Sequence, residues 1–482
     1  MLTINMKTLV TIAVVCLIKC SPASAQNSLS PDQLRSDFTL FRQALQEAHP
    51  GLYRYNSKAY MDSLFLITSE RLTHEMTQQE FYQLLLPVVS QVKCGHTKLH
   101  PDNNWTDNYF YGQDKVFPYK LFFQGKKVYI TDRFDNKMPE AKGLEVISIN
   151  GTQMTEIIDK LLSGFFSDGR NTTFKYIEMS QYFSAYYANL FEAPDSFSII
   201  CQKGNDKAII KVPAISRTII DAYEKHQASL KPVKTPYSLE FSSDKVALLT
   251  VSSFWMDSKD KGYKKFLKES FAKIHDRGIQ NLIIDVRDNE GGQDARGAWL
   301  LSYLMDKKFR YYDRLEATTH KKYSFAKEAR LPRFYGIMRM MISRTDSGTL
   351  LWKHNRNLKV QKPQRKSYAG KTYILINGAS FSVTSEFAAV AHYLKRATFI
   401  GEETGGGYYG NNSGAFVIVT LPNSRLNIGI PMLAYYTAVK DYPYHDHGVI
   451  PDYEVKPDIQ DILNDKDVAL EFTKQLITAS DE

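Results

Sequence analysis

The sequence predicts an α/β protein: a core of sheet covered by helices, preceded by a small helical region and a mixed α+β region. Three observations carry that reading. Apolar residues recur at three- and four-residue spacing near the start, short alternating runs follow, and beyond residue 237 near-continuous apolar strands alternate with helical stretches. A chain of 482 residues, 43% hydrophobic and 13% aromatic, holds enough apolar matter for more than one core. That composition excludes disordered and fibrous classes.

Taken in order, residues 1–25 read as a signal peptide. Lys7 supplies positive charge, Leu9 to Ile18 is nearly all apolar, and Ser21 to Ala25 is a small-residue cleavage region before Gln26. A run of about 10 apolar residues is half the length a membrane span needs. Lys19 stands before Cys20 where lipid attachment wants a small residue. An exported protein, periplasmic or secreted, is expected.

Residues 26–105 read as a helical domain. Ser30-Pro31-Asp32 opens a helix whose apolar stripe is Leu34, Phe38, Phe41 and Leu45, stopped by Pro50-Gly51, with further helices over Tyr60 to Leu72 and Phe81 to Val92. Residues 106–229 read as a β-rich domain, with a strand over Gly143 to Ile149 ending in the tight turn Asn150-Gly151 and a helix over Thr155 to Leu162. The Pro-rich stretch Leu230 to Pro236 reads as a linker. The core, 237–460, alternates strand and helix: Val246 to Val251, Tyr263 to His275, Asn281 to Val286, Ala298 to Met305, Thr372 to Ile376, Val383 to Leu394 and Thr398 to Gly401. A C-terminal helix is expected over 461–482.

The formal charge of +9 is unevenly placed. Residues 307–366 hold 17 Lys and Arg against four acids, so the rest of the chain is net acidic. In the absence of any nucleic-acid motif this reads as a solvated basic insertion, able to contact an anionic surface. Beyond the leader two cysteines remain, Cys94 and Cys201. Two buried thiols are expected rather than a disulfide framework.

Three local features carry chemistry. In Tyr373-Ile374-Leu375-Ile376-Asn377-Gly378-Ala379-Ser380-Phe381-Ser382-Val383-Thr384-Ser385-Glu386 a strand, a small-residue turn and a helix start put Ser382 where unpaired amides favour negative charge. A serine at such a place ordinarily caps the helix. Leu282-Ile283-Ile284-Asp285-Val286-Arg287-Asp288-Asn289-Glu290-Gly291-Gly292 is a buried strand ending in a glycine pair, whose amides can approach a ligand closely. Gly95-His96-Thr97 closes the helical domain with a histidine, a residue more often structural than catalytic. Each alone is weak.

Together and in this order they resemble the C-terminal-processing, or tail-specific, serine protease family. That family combines a Gly-His-Thr segment, an Ile-Ile-Asp-x-Arg-x-Asn-x-Gly-Gly strand and loop, and a Ser-x-Ser-x-x-Ser-Glu turn and helix. Gly401-Glu402-Glu403-Thr404-Gly405 and Gly448-Val449-Ile450-Pro451-Asp452 fit as well. The resemblance implies a crotonase/Clp-like core and a PDZ-like domain ending in Gly143 to Gly151 that presents substrate tails. It implies Ser382 as nucleophile, with the amides of Val383 and of Gly291 or Gly292 as oxyanion hole.

Where the family's Ser-Lys branch carries its lysine, this chain has Gly407. The resemblance is therefore to the tricorn-like branch, whose base is a histidine in the Gly-His segment, here His96. For the residue that orients it, Asp446 is expected first and Asp441 second. A competing order, Ser382, Asp441 and His447, is that of hydrolases with a strand-turn-helix nucleophile. His392 lies about 15 Å along the predicted helix from Ser382 and drops out.

The expected activity is hydrolysis of protein or peptide substrates through an acyl-enzyme, without metal or organic cofactor. His445 and His447 lack the spacing of a metal site. Two other classes stay open: a catalytically inactive peptide-binding protein on a protease-like scaffold, and an esterase built on the same serine.

Overall fold

The computed structural model describes residues 28–101, 107–111, 114–137, 139–230, 235–255 and 262–481. The expected signal peptide and most of the expected linker lie outside them. Among the described residues no helix is long and apolar enough to cross a membrane.

Helix Pro31–Ala48 starts where Ser30 and Gln33 form a capping box, and it buries Leu34, Phe38, Phe41 and Leu45 as their spacing requires. Helices Lys58–Glu70 and Gln78–Gln91 follow, the latter with a second capping box between Thr77 and Glu80. The chain then runs through His96 into strand Lys98–His100, which pairs with strand Asn427–Thr437. That pairing fastens the N-terminal helical region to a later part of the chain.

The middle region is an antiparallel sheet in the order Tyr119–Gln124, Lys127–Arg133, Glu145–Ile149, Ser196–Lys203, Asp206–Pro213. Asn150 and Gly151 both take positive φ, 50° and 84°, as a two-residue hairpin turn demands. Helix Met154–Gly164 leaves that turn, and the kinked helix Thr173–Leu190 packs on strand Tyr119–Gln124.

A second sheet is almost wholly parallel: Tyr453–Glu454, Thr398–Gly401, Lys371–Ile376, Asn281–Asp285, Val246–Val251, with Tyr237–Phe241 antiparallel at one edge. Strands Lys371–Ile376 and Asn281–Asp285 are neighbours in it, so the segments that follow them emerge side by side at the carboxyl edge. In open α/β sheets that edge is where ligands bind.

The third sheet corrects the reading of the basic segment. Strand Tyr312–Glu316 pairs with Asn427–Thr437 inside a seven-stranded sheet that also takes Ala329–Arg330, Ile342–Arg344 and Leu350–Trp352 from the same segment. Tyr311, Tyr312, Leu315, Tyr323 and Phe325 are buried there. These apolar residues are woven into the fold, while the segment's charges are presented outward together with Phe334, Ile337, Met340 and Val360. Cys94 and Cys201 are free and buried.

Candidate active site

Ser382 sits at the turn between strand Lys371–Ile376 and helix Val383–Tyr393. Its backbone has φ 55° and ψ −123°, a conformation costly for a residue with a side chain, and its hydroxyl makes no capping bond to the helix. The strained turn instead aims Oγ out of the helix, 3.1 Å from Nε2 of His96. The neighbouring serines are spent on structure. Ser380 Oγ donates to the Val286 carbonyl (2.8 Å) and accepts from the Asn377 amide, while Ser385 Oγ donates to the Ser380 carbonyl and accepts from the Gly406 amide. Of the three, Ser382 alone meets a base.

Gly291 and Gly292 take φ of 95° and 139°. A Cβ on Gly291 would stand 2.9 Å from the Val383 amide nitrogen, so the glycine loop lies directly against the start of the nucleophile helix. Asn289 holds the loop in this shape. Its Oδ1 accepts from the amides of Gly291 (3.0 Å) and Phe254 (3.3 Å), and its Nδ2 donates to the Val251 carbonyl. Gly291's amide is thereby occupied, which leaves Gly292 as the candidate oxyanion donor of the glycine pair.

His96 is carried on the loop between helix Gln78–Gln91 and strand Lys98–His100. Its ring lies 4.7 Å from that of Phe381, which stacks on Phe174 at 4.9 Å. Thr97 beside it is gripped by His49: the Gly51 amide donates to His49 Nδ1, so Nε2 carries the proton and donates to Thr97 Oγ1 at 2.8 Å. Burial, with a smaller contribution from Lys98, lowers His96 to about 3. The imidazole is neutral at ordinary pH, the form that can accept a proton from serine. Its Nδ1 is shielded and makes no hydrogen bond among the described residues.

The structure does not bring Asp446 to that nitrogen. Arg170 Nε takes its carboxylate at 2.6 Å and His447 stands 3.8 Å from its other oxygen. Asp441 is exposed, at a positive φ of 60°. His447 hydrogen-bonds Glu403 through Nδ1 (3.1 Å) rather than Ser382, and His392 bonds Tyr408. Gly407 has no room for a lysine, since a Cβ there would meet Gly410 O and Tyr55 Oη at 2.8 Å each.

What the sequence reading missed is Asp168. It is buried, accepts from the amides of Gly95 (2.9 Å) and Gly407 (3.2 Å), and is raised to about 6 by burial against the pull of those amides and of Arg54. A ring nitrogen of His96, Cys94 Sγ and an oxygen of Asp168 lie within 4.8 Å of one another. As a metal site this trio fits poorly. Burial raises the Cys94 thiol to about 11, and both Asp168 oxygens already accept hydrogen bonds.

Against His96 opens a cavity of about 440 Å³ whose walls include Phe174, Phe381, Phe416 and Ile418, with Lys98, Glu178 and Glu290 as its charged groups. Its size and apolar walls suit a side chain of a substrate.

Residues 245–455 match the family model described as Peptidase family S41. The structure is similar to that of mature CPAF, with a TM-score of 0.59 at 13% identity over 90% of this chain and 94% of that one. Mature CPAF complexed with lactacystin matches equally, at TM-score 0.59 and 13% identity over 92% and 97%. At that identity the likeness is one of fold: an N-terminal helical region followed by mixed sheet-and-helix units.

Proposed function

We propose that this chain, a serine-type peptidase of family S41 through residues 245–455, hydrolyses peptide bonds by forming an acyl-enzyme on Ser382 with His96 as general base. The single observation that carries the reading is the 3.1 Å hydrogen bond from Ser382 to Nε2 of His96, two residues from distant parts of the sequence.

In this reading His96 Nε2 takes the hydroxyl proton as Oγ bonds to the scissile carbonyl carbon, and the carbonyl electron pair moves onto oxygen. The amides of Val383 and Gly292 stabilise that oxygen. The imidazolium then gives its Nε2 proton to the leaving amine as the C–N bond breaks, and water, activated by the same nitrogen, releases the acyl group. An apolar side chain beside the scissile bond occupies the Phe174, Phe381 and Phe416 cavity. The sheet region 119–213 is proposed, as the PDZ-like part, to present substrate tails, and residues 1–25 to export the chain.

Purified protein is expected to cleave unfolded casein in the presence of a chelator and to react with a fluorophosphonate. Both activities should vanish in Ser382→Ala and in His96→Ala. Cleavage retained by Ser382→Ala would refute the nucleophile. The absence of labelling in the folded wild type would favour the inactive binding scaffold, and turnover of short acyl esters without casein cleavage would favour the esterase.

A further inference from the structure

The mechanism just proposed needs His96 in one tautomer. Nε2 must be bare to accept the Ser382 proton, so Nδ1 carries the hydrogen, and that hydrogen is buried without a partner among the described residues. An unpaired buried donor is costly, and an imidazolium in the same place would cost more. Something on the Nδ1 side has to repay this during the reaction. A ring nitrogen of His96 lies within 4.8 Å of Cys94 Sγ and of an Asp168 oxygen, and of these two neighbours only Asp168 can carry negative charge at neutral pH.

We infer, resting on the Ser382–His96 reading, that Asp168 is the positioning carboxylate of this site. It anchors the base from two sides. One oxygen accepts the amide of Gly95, the residue preceding His96, and the other accepts the amide of Gly407 in the loop that packs behind Ser382. A Cβ on Gly406, next in that loop, would lie 3.2 Å from the Ser382 amide nitrogen, so the carboxylate ties the base-bearing segment to the loop against which the nucleophile rests. When His96 becomes imidazolium, a small closure brings its Nδ1 hydrogen onto Asp168, as hydrogen bonds in substrate-free sites commonly tighten on binding. The carboxylate of Asp446 is instead taken by Arg170.

The groups facing the pair are Lys98 and Cys94 on the histidine's own segment, Ser382 opposite it, Glu178 and Glu290 in the cavity that His96 lines, and Arg54, Tyr55 and Glu386 around Asp168. Asp168 titrates at about 6, so its anionic form is lost as pH falls through that value. The rate of fluorophosphonate labelling of the wild type is expected to fall with it.

The test is that labelling rate measured from pH 4.5 to 8.5 for wild type, Asp168→Asn, Asp168→Glu and Asp446→Asn, each checked by thermal melt. Asp168→Asn should slow labelling about 100- to 10,000-fold and lose the inflection near pH 6. Asp168→Glu, which keeps the charge, should recover part of the rate and retain an inflection. A merely structural Asp168 would depress the rate with the wild-type pH profile intact, and that outcome overturns the inference. So does Asp168→Asn labelling within threefold of wild type, or the loss appearing in Asp446→Asn instead. Should Asp168→Asn fail to fold, the Asp168→Glu profile decides, an unchanged rate or a missing inflection counting against the inference. No labelling of the wild type would remove the serine reading and this inference with it, whereas labelling blind to Asp168 removes the inference alone.

Discussion

A methyl group on Gly291 would lie 2.8 Å from Cβ of Ser382, closer than real side-chain contacts come. The glycine loop and the nucleophile turn are thus pressed backbone to backbone, at a φ of 95° that only glycine takes readily. Gly291→Ala should push Ser382 off His96 and widen the space between Gly292 and Val383. Fluorophosphonate labelling is expected to fall by at least about 100-fold, the usual effect of disturbing an oxyanion donor. A variant that labels within threefold of wild type would show that the close approach is not needed.

The strain at Ser382 has a measurable counterpart. A non-glycine residue at φ 55° and ψ −123° costs on the order of 1–3 kcal/mol, against roughly 0.5–1 kcal/mol of extra chain entropy lost by glycine. Ser382→Gly should therefore abolish labelling while raising unfolding stability by about 1 kcal/mol. Ser380→Ala is expected to do the reverse. It keeps the nucleophile but loses the bond to the Val286 carbonyl, lowering stability by about 1 kcal/mol. Denaturant midpoints for the two variants shifting in the same direction would contradict this division of roles.

Ser382, the glycine pair and the Gly95-His96-Thr97 segment are legible in sequence because each is a short local run which, weak alone, in this order resembles one protease family. Asp168 is not, because one carboxylate between Ser167 and Gly169 shows no pattern until folding sets it under two amides. Asp446 misleads for the converse reason. It stands in a suggestive run of His and Asp, but Arg170 is a chain neighbour only in space. The strand Asn427–Thr437 also escapes sequence reading. It is almost entirely buried, so no alternation marks it, and Gly429 and Pro431 argue against a strand. In the basic segment charge masked the buried tyrosines that weave it into the same sheet.

The absence of a lysine at residue 407 is enforced by packing. Any side chain there meets Tyr55 Oη and Gly410 O at 2.8 Å, and the Gly407 amide is committed to Asp168. Gly407→Lys should cost about 1–3 kcal/mol as an overpacked site. Introduced into His96→Ala it should restore no labelling, since a new lysine cannot occupy this position without displacing the loop behind Ser382. Recovery of labelling in the double variant would mean that the loop can accept the lysine-dependent arrangement.

Glu386, four residues after the nucleophile, is buried with Oε2 bonded to Tyr312 Oη and Oε1 to Asn411 Nδ2. Burial raises it to about 8 from 4.5, with Asp294 and Asp168 adding to the rise and the two hydrogen bonds opposing it. A carboxyl raised in this way is most favourable to the folded state below its unfolded value of 4.5, where both states hold the proton. Above that the unfolded chain ionises while the folded one stays neutral, so stability declines as pH rises from 4.5 and levels off only past about 8. His49 and His96, both lowered to about 3 by burial, act oppositely, removing stability as pH falls below 6.5. The difference between wild type and Glu386→Gln isolates the carboxyl from the histidines. Across pH 4.5 to 8 the wild type should lose a few kcal/mol relative to Glu386→Gln, read by urea unfolding at each pH. Parallel stability curves for the two proteins would show that Glu386 is ionised in the fold and that its contact with Tyr312 is an ordinary charged hydrogen bond.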